Sequence, residues 1–339
     1  MKNFILITFT ILALVVLSVF LFQSFKNKPG EINAHYAAPD TLIDKPEAGE
    51  TPDLSQVLKT ENMASPVFTV KVPQEASFAG EQVPLEIFYV REYFDRELTV
   101  NTYFHSSTIL LLKRSSRWFP IIEPILAANN IPNDFKYLAL IESGLQNVTS
   151  PAGAKGFWQF LRHTAREHGL EVNNDIDERY NVEKSTMAAC SYLNEAYEKH
   201  RDWTLVAAAY NAGNRRITEE LERQKVGSYY NLLLNDETAR YVFRILAIKT
   251  IFENPEKYGF YPSDMELYPP IQTETITVNE TVKDLIDFAR DHKINYKTLK
   301  YFNPWLLKDH LPNRSRRIYE IKIPINNAIY EKENLNAEK

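Results

Sequence analysis

The chain has 339 residues, 44% hydrophobic and 12% aromatic, with 39 Lys+Arg against 44 Asp+Glu for a net charge of −5. That length accommodates about two domains, and no long basic run offers the phosphate-binding stripe that a nucleic-acid binder needs. Cys190 is the one cysteine, which excludes an internal disulfide and a multi-cysteine zinc site.

Phe4 to Phe22 is an almost unbroken apolar run without a charge. As a helix at about 1.5 Å per residue it would span roughly 28 Å, close to a bilayer core. No Ala-x-Ala-like site precedes Gln23-Ser24-Phe25-Lys26, so residues 1–25 read as an uncleaved anchor in preference to a cleaved signal peptide. No cysteine stands directly after the run, so lipoprotein processing is not available there. Lys2 on one side and Lys26 and Lys28 on the other leave only a weak positive-inside asymmetry. Residues 26–65, rich in Pro, Glu, Asp, Ala and Thr, read as a flexible tether.

Pro66 to Pro73 alternates like a short strand or extended arm, and residues 85–98 and 108–119 carry helical apolar spacing. From 121 to 252 nearly every segment reads as helix, with breaks at Pro132, at Ser150 to Gly153, at Asn173-Asn174 and around Gly213 and Gly227. A composition shift comes at Tyr268-Pro269-Pro270. Beyond it, residues 273–278 are strand-like, 282–292 and 296–302 are short helices, and 319–325 is a closing strand. The expected fold class is mainly α: an all-α domain succeeded by a small β-α-α-β unit, with no internal repeat.

Within the helical region one carboxylate lies where carboxylates are costly. Asp134 to Ser143 starts as a helix should, with Pro132 ahead of it and Asn133 as a cap candidate. Phe135 and Leu138 lie seven and four residues before Glu142, so Glu142 shares their apolar stripe. Desolvation there raises a carboxyl pKa, as a general acid near neutral pH requires. A helix-end Glu paired with a nearby Arg fits the same spacing. His163 and His168 are five apart, not the i, i+4 pair of a zinc helix, so neither metal nor cofactor is called for.

The motifs downstream of Glu142 decide between these readings. After Glu142-Ser143 come Ser150-Pro-Ala-Gly-Ala-Lys-Gly156 and Phe157-Trp-Gln-Phe160, then Asp177-Glu-Arg179, Ala209-Tyr-Asn-Ala-Gly213 and Glu237-Thr-Ala-Arg-Tyr-Val242. This order resembles the soluble lytic transglycosylase family, whose catalytic domain has a goose-type lysozyme-like fold. Phe157 to Phe160 and the Asp-x-Arg segment are similar to the D branch of the membrane-bound lytic murein transglycosylases. Phe157 and Trp158 stand where that family commonly has Leu-Met. The resemblance implies a catalytic domain with an N-terminal helical extension over residues 66–268.

It also implies roles. Glu142 would be the single catalytic acid/base, and Ser143 would support its loop or the adjacent backbone within the substrate-binding set. Ser150 would help to position the muramic sugar, Gln159, Tyr210 and Asn211 would line the sugar subsites, and Tyr241 would approach Glu142 from the opposite wall. The alternative for each tyrosine is a core residue with a satisfied hydroxyl, and Trp158 is a packing residue more often than a sugar-stacking one. Asp177 and Arg179 are expected to form a local ion pair that fixes the loop. The implied partner is the peptidoglycan glycan strand, with the N-terminal helix in the inner membrane and the catalytic domain in the periplasm; nucleic acid is not a partner. The implied reaction cleaves the bond between N-acetylmuramic acid and N-acetylglucosamine and leaves a 1,6-anhydro end. Two rivals stand beside it. One is an N-acetylmuramidase hydrolase, for which Asp175, Asp177 and Glu178 are the second carboxylates to suspect. The other is a non-catalytic peptidoglycan-binding protein, against which the Glu142-Ser143 pair argues.

Residues 273–326 resemble a lysin motif, a β-α-α-β module that binds N-acetylglucosamine-containing glycans, with residues 327–339 as a tail. The resemblance rests on Thr275 to Val282, Leu285 to Ala289, Leu299 to Pro304 and Tyr319 to Pro324. The usual Gly-Asp-Thr of the first turn is Asn279-Glu280-Thr281 here, a departure that bears on sugar affinity more than on fold.

Overall fold

The computed structural model describes residues 68–325; the anchor and tether expected over 1–65 and the tail over 327–339 lie outside the described residues. Among the described residues no helix is long and apolar enough to cross a membrane. The described part of the strand expected over 66–73 forms no ladder, because among the described residues no second strand pairs its backbone, and alternation without a partner does not make a sheet. Its Phe68 N–H donates instead to the Tyr103 hydroxyl at 2.9 Å. Next comes a hairpin that the sequence pattern did not reveal, β1 (Ser77–Phe78) and β2 (Glu81–Gln82). It turns through two left-handed residues, Ala79 (φ 53°) and Gly80 (φ 84°), the geometry two-residue hairpins prefer. The Ala79 N–H is held by Asp134 Oδ2 at 2.7 Å.

Eight helices then build the main domain: α1 (Phe88–Tyr103), α2 (His105–Ala128), α3 (Lys136–Ser143), α4 (Arg162–Glu167), α5 (Val182–His200), α6 (Trp203–Ala212), α7 (Asn214–Gln224) and α8 (Asp236–Glu253). α2 runs nine residues past Phe119, through Pro120 and Pro124. Both prolines are exposed and, four apart, share one face. Carbonyls left without a donor on that face can reach water, so the helix tolerates the two lost bonds. Side chains cap the later helices. Asn181, Asp202 and Asn235 accept from Lys184, Leu205 and Thr238 N–H at 3.0, 2.7 and 3.3 Å.

α3 is the central rod. Tyr137, Leu138, Ala139 and Leu140 are all buried, so this helix hides its whole circumference, packed between α2 and α8. α8 also packs on α1 and α6, and α5 links α2 to α6. Asn133 does not cap α3: a 3-10 turn, Asn133–Phe135, precedes it without a side-chain cap. Asp134 is the residue at work, its carboxylate accepting from Lys249 Nζ at 2.7 Å as well as from Ala79, so it fastens the start of α3 to α8 and to the hairpin.

At the C-terminal end, β3 (Thr273–Val278) pairs antiparallel with β4 (Tyr319–Pro324) in a register running from Thr273↔Pro324 to Val278↔Tyr319. α9 (Leu285–Asp291) and α10 (Tyr296–Phe302) lie between them in sequence. This is the expected β-α-α-β order, except that α9 starts at Leu285 and not at Val282, because Asp284 caps it by accepting from Ile286 and Asp287 N–H at 2.6 and 3.2 Å. The module has its own core of Val278, Leu285, Leu299, Trp305, Leu311 and Ile321, and Ile176 of the main domain belongs to it. Around Ile176 the contact is backbone pairing: Asp177 N–H donates to the Trp305 carbonyl at 2.9 Å and Leu307 N–H to the Asp175 carbonyl at 2.8 Å. Arg317 and the Tyr319 hydroxyl both bind Glu171, at 2.9 and 3.0 Å.

Candidate active site

Glu142 is the second-last residue of α3, which ends in two left-handed residues, Gly144 (φ 59°) and Leu145 (φ 54°). A Cβ on Gly144 would lie 2.8 Å from Arg114 Nη1, which itself donates to the Gly144 carbonyl. The chain thus leaves the helix sharply and frees the side of Glu142 that a continued helix would cover. Ser143 faces the other way. It is buried, and its hydroxyl sits between the Ala139 and Phe157 carbonyls at 3.1 and 2.9 Å while accepting from Leu145 N–H at 3.1 Å. Those bonds make Ser143 a strut joining α3 to the loop after it.

The carboxyl of Glu142 receives a hydrogen bond from the Tyr241 hydroxyl on α8. Burial pushes its pKa above the ordinary carboxylate range; the Tyr241 bond and the Arg244 charge pull it back, and Glu237 pushes it up again. The negative end of the α3 dipole adds to the cost of a negative charge there. Tyr241 is itself fully buried, and burial beside Glu142 drives its hydroxyl well above the normal range, so it acts as a donor and not as an anion. Tyr210 is treated likewise, by burial first and then by the Glu142 charge; its hydroxyl donates to the Trp158 carbonyl at 2.6 Å. Asn211, next in α6, accepts from Thr238 Oγ1 at 2.8 Å and reaches Glu237 at 3.5 Å. Glu142, Tyr210, Asn211 and Tyr241 are therefore brought together by three helices, α3, α6 and α8.

Gln159 and Ser150 belong to the loop between α3 and α4, which runs from 144 to 161 and is much longer than the break expected from Ser150 to Gly153. Gln159 is left-handed (φ 47°) and its amide donates to the Val148 and Gly156 carbonyls at 3.2 and 2.7 Å. Ser150 Oγ accepts from Ala154 N–H at 3.1 Å; among the described residues no hydrogen bond joins it to Glu142, Tyr210 or Tyr241. Trp158 is fully buried with Nε1 on Thr186 Oγ1 at 2.9 Å, so it packs and does not stack on a ligand. The loop is locked by Arg179, whose guanidinium grips both Asp177 oxygens at 2.8 and 2.7 Å and donates to the Gly153 and Phe160 carbonyls at 3.1 and 3.0 Å. Gly156 (φ 77°) is obligatory here, since a Cβ would come within 1.8 Å of the Arg179 carbonyl.

Two residues of the site escaped the sequence reading, Glu237 and Arg244. With Tyr241 they form an i, i+4, i+7 stripe on α8, a spacing that was available in the sequence. Arg244 also donates to the Ile141 carbonyl at 3.2 Å, beside Glu142.

Residues 119–233 match the transglycosylase SLT domain. The chain carries an SLT domain. Residues 274–327 match the soluble lytic transglycosylase C-terminal LysM-like domain, so the mainly α, lysozyme-like class with a small β-containing module stands as expected. The SLT match ends before α8, and Glu237, Tyr241 and Arg244 join the site through geometry alone. Among curated proteins the chain is similar to membrane-bound lytic murein transglycosylase D of Escherichia coli K12, at 30% identity over 194 residues, 54% of this chain and 42% of that protein. The same protein of Escherichia coli O6:H1 matches equally. The chain thus spans less than half the length of these relatives. Among solved structures, the 70 kDa soluble lytic transglycosylase of Escherichia coli aligns at 22% identity and a TM-score of 0.35, over 44% of this chain and 26% of that one. An inactive mutant of Slt from Pseudomonas aeruginosa aligns at 18% and 0.32 over the same shares.

Proposed function

We propose that the chain is a peptidoglycan lytic transglycosylase with Glu142 as its acid/base. The observation that carries this reading is a single carboxyl, buried against a tyrosine hydroxyl and held above the ordinary range by desolvation, in a chain with an SLT domain. Most glycosidases flank the scissile bond with two carboxylates. Of the three considered for the second role, Asp177 is bound to Arg179 and Glu178 to Lys184, so neither is available to hold a water.

An intramolecular nucleophile removes that need. Glu142 protonates the departing glycosidic oxygen; its carboxylate then takes the proton of the muramic 6-hydroxyl, whose oxygen attacks the anomeric carbon and closes the 1,6-anhydro ring. Holding the nucleophile on the same sugar gives a high effective molarity, and the substrate's N-acetyl oxygen can stabilise the anomeric charge. Tyr241 orients Glu142 through one carboxyl oxygen and leaves the other for the substrate. Tyr210, Asn211, Gln159 and Ser150 form the sugar-facing side, with Thr238 and Glu237 fixing Asn211. The LysM-like module contributes glycan affinity. Residues 66–268 act as the catalytic unit, in the periplasm and tethered to the inner membrane by the Phe4 to Phe22 run; the word "membrane-bound" in the relatives' names accords with this.

Mass spectrometry of fragments released from purified peptidoglycan tests the reaction. Anhydro-muramyl ends are expected. Reducing ends would make the enzyme a hydrolase, with Glu237 as the carboxylate to examine next, and no release would leave a binding protein.

A further inference from the structure

A cavity of about 580 Å³ lies between α2, the loop after Glu142 and the C-terminal module. Its wall includes Leu145 to Asn147 and Phe157 but not Glu142, Tyr210 or Tyr241, so it is separate from the site described above. Its size suits a small organic ligand. Two features define what would fit. Trp118, Tyr268, Tyr301 and Trp305 give it aromatic walls, with Trp118 braced edge-on by Phe157 at 5.0 Å. Arg114, Arg117, Lys300 and Lys322 give it four cations against one carboxylate, Glu183, in a protein whose net charge is −5.

Three of those four cations are anchored but not neutralised. Arg117 donates to the Pro269 carbonyl at 3.1 Å and to the Tyr301 hydroxyl at 2.9 Å, and Lys300 donates to the Leu306 and Lys308 carbonyls. Arg114 donates to the Gly144 carbonyl, and among the described residues only Lys322 of the four is paired with an acid, Glu183. A guanidinium has five N–H donors and an ammonium three, so each side chain keeps donors in reserve while its position is fixed. Fixed cations beside aromatic faces suit a ligand that presents a carboxylate next to a ring with an apolar face.

We propose that this cavity is a second binding site, for a carboxylate-bearing muramyl peptide, formed jointly by the SLT domain and the LysM-like module. The sugar stacks on the aromatic wall and the peptide carboxylate pairs with Arg117 and Lys322. The ligand's class rests on the peptidoglycan reading; the site's preference for an anion rests on its own charges. The two domains are then joined for a reason beyond stability, since neither alone encloses the cavity.

The test is a calorimetric titration of the full-length chain with N-acetylmuramyl-L-alanyl-D-isoglutamine, which has no glycosidic bond to be consumed, and with neutral di-N-acetylchitobiose. Arg117→Gln and Lys322→Gln are each expected to weaken the muramyl dipeptide by at least about tenfold, with chitobiose binding unchanged and the dipeptide's affinity falling as salt rises. Arg117 also holds the module through Pro269 and Tyr301, so Lys322→Gln is the variant that decides if Arg117→Gln melts early. Both variants binding the dipeptide within about threefold of the parent, or losing both probes alike, would overturn the proposal. Anhydro products from the wild type together with dipeptide binding insensitive to both variants would remove the second site and leave the enzyme; Arg117-dependent binding without such products would do the reverse.

Discussion

Glu142 is governed by opposed neighbours, and the opposition makes its behaviour testable. Burial favours the protonated form; Tyr241 and Arg244 favour the ionised form, and Glu237 disfavours it. Tyr241→Phe therefore raises the Glu142 pKa further and moves the alkaline limb of kcat to higher pH, whereas Glu237→Gln lowers the pKa and moves the limb to lower pH. Rate profiles of the two variants across the neutral range, shifted in opposite directions from wild type, are the expected result. Stability depends on the same shift. A carboxyl whose pKa is higher folded than unfolded contributes stability below its unfolded pKa and loses it as pH rises through the folded one. Glu142→Gln, which cannot ionise, should then melt above wild type at neutral pH, and the difference should vanish below about pH 4. Melting curves at the two pH values check this.

Among the elements, the loop between α3 and α4 carries the most information in the fewest residues. It has little regular structure and is held by one buried ion pair that reaches two of its carbonyls. Removing half of a buried pair strands the other charge, so Arg179→Gln should cost about 3–5 kcal/mol. Gly156→Ala combines a left-handed residue with a Cβ inside van der Waals contact, and should cost about 3 kcal/mol or more; denaturant titration reads both. The expected Asp177–Arg179 pair is present, because a short Asp-x-Arg segment has few other ways to satisfy two opposite charges. Helix positions, the β-α-α-β order and the buried stripe leading to Glu142 could likewise be read from spacing. What spacing could not give was the third dimension: α2 passing two prolines on an exposed face, Ala79 in a hairpin held by Asp134, and the inward turn of Ser143. The α8 stripe of Glu237, Tyr241 and Arg244 was legible as a stripe, but only packing against α3 reveals what it faces.

On the scale of the whole molecule, the SLT domain and the LysM-like module share a core through Ile176 and a backbone pairing at 175–177 and 305–307. The module is therefore a fixed part of the molecule's surface, beside the loop that carries Gln159 and Ser150. Ile176→Asp places a charge in that core; amides of 305–307 should lose hydrogen-exchange protection while those of α3 and α8 keep theirs.

The most direct measurement is the rate of fragment release from purified peptidoglycan by the wild type, Glu142→Gln and Glu237→Gln, each verified as folded. A single acid/base predicts that Glu142→Gln loses about a thousandfold or more while Glu237→Gln stays within about tenfold of wild type at its own optimum pH. A Glu142→Gln variant that keeps its rate, or a Glu237→Gln variant as impaired as Glu142→Gln, would contradict the account.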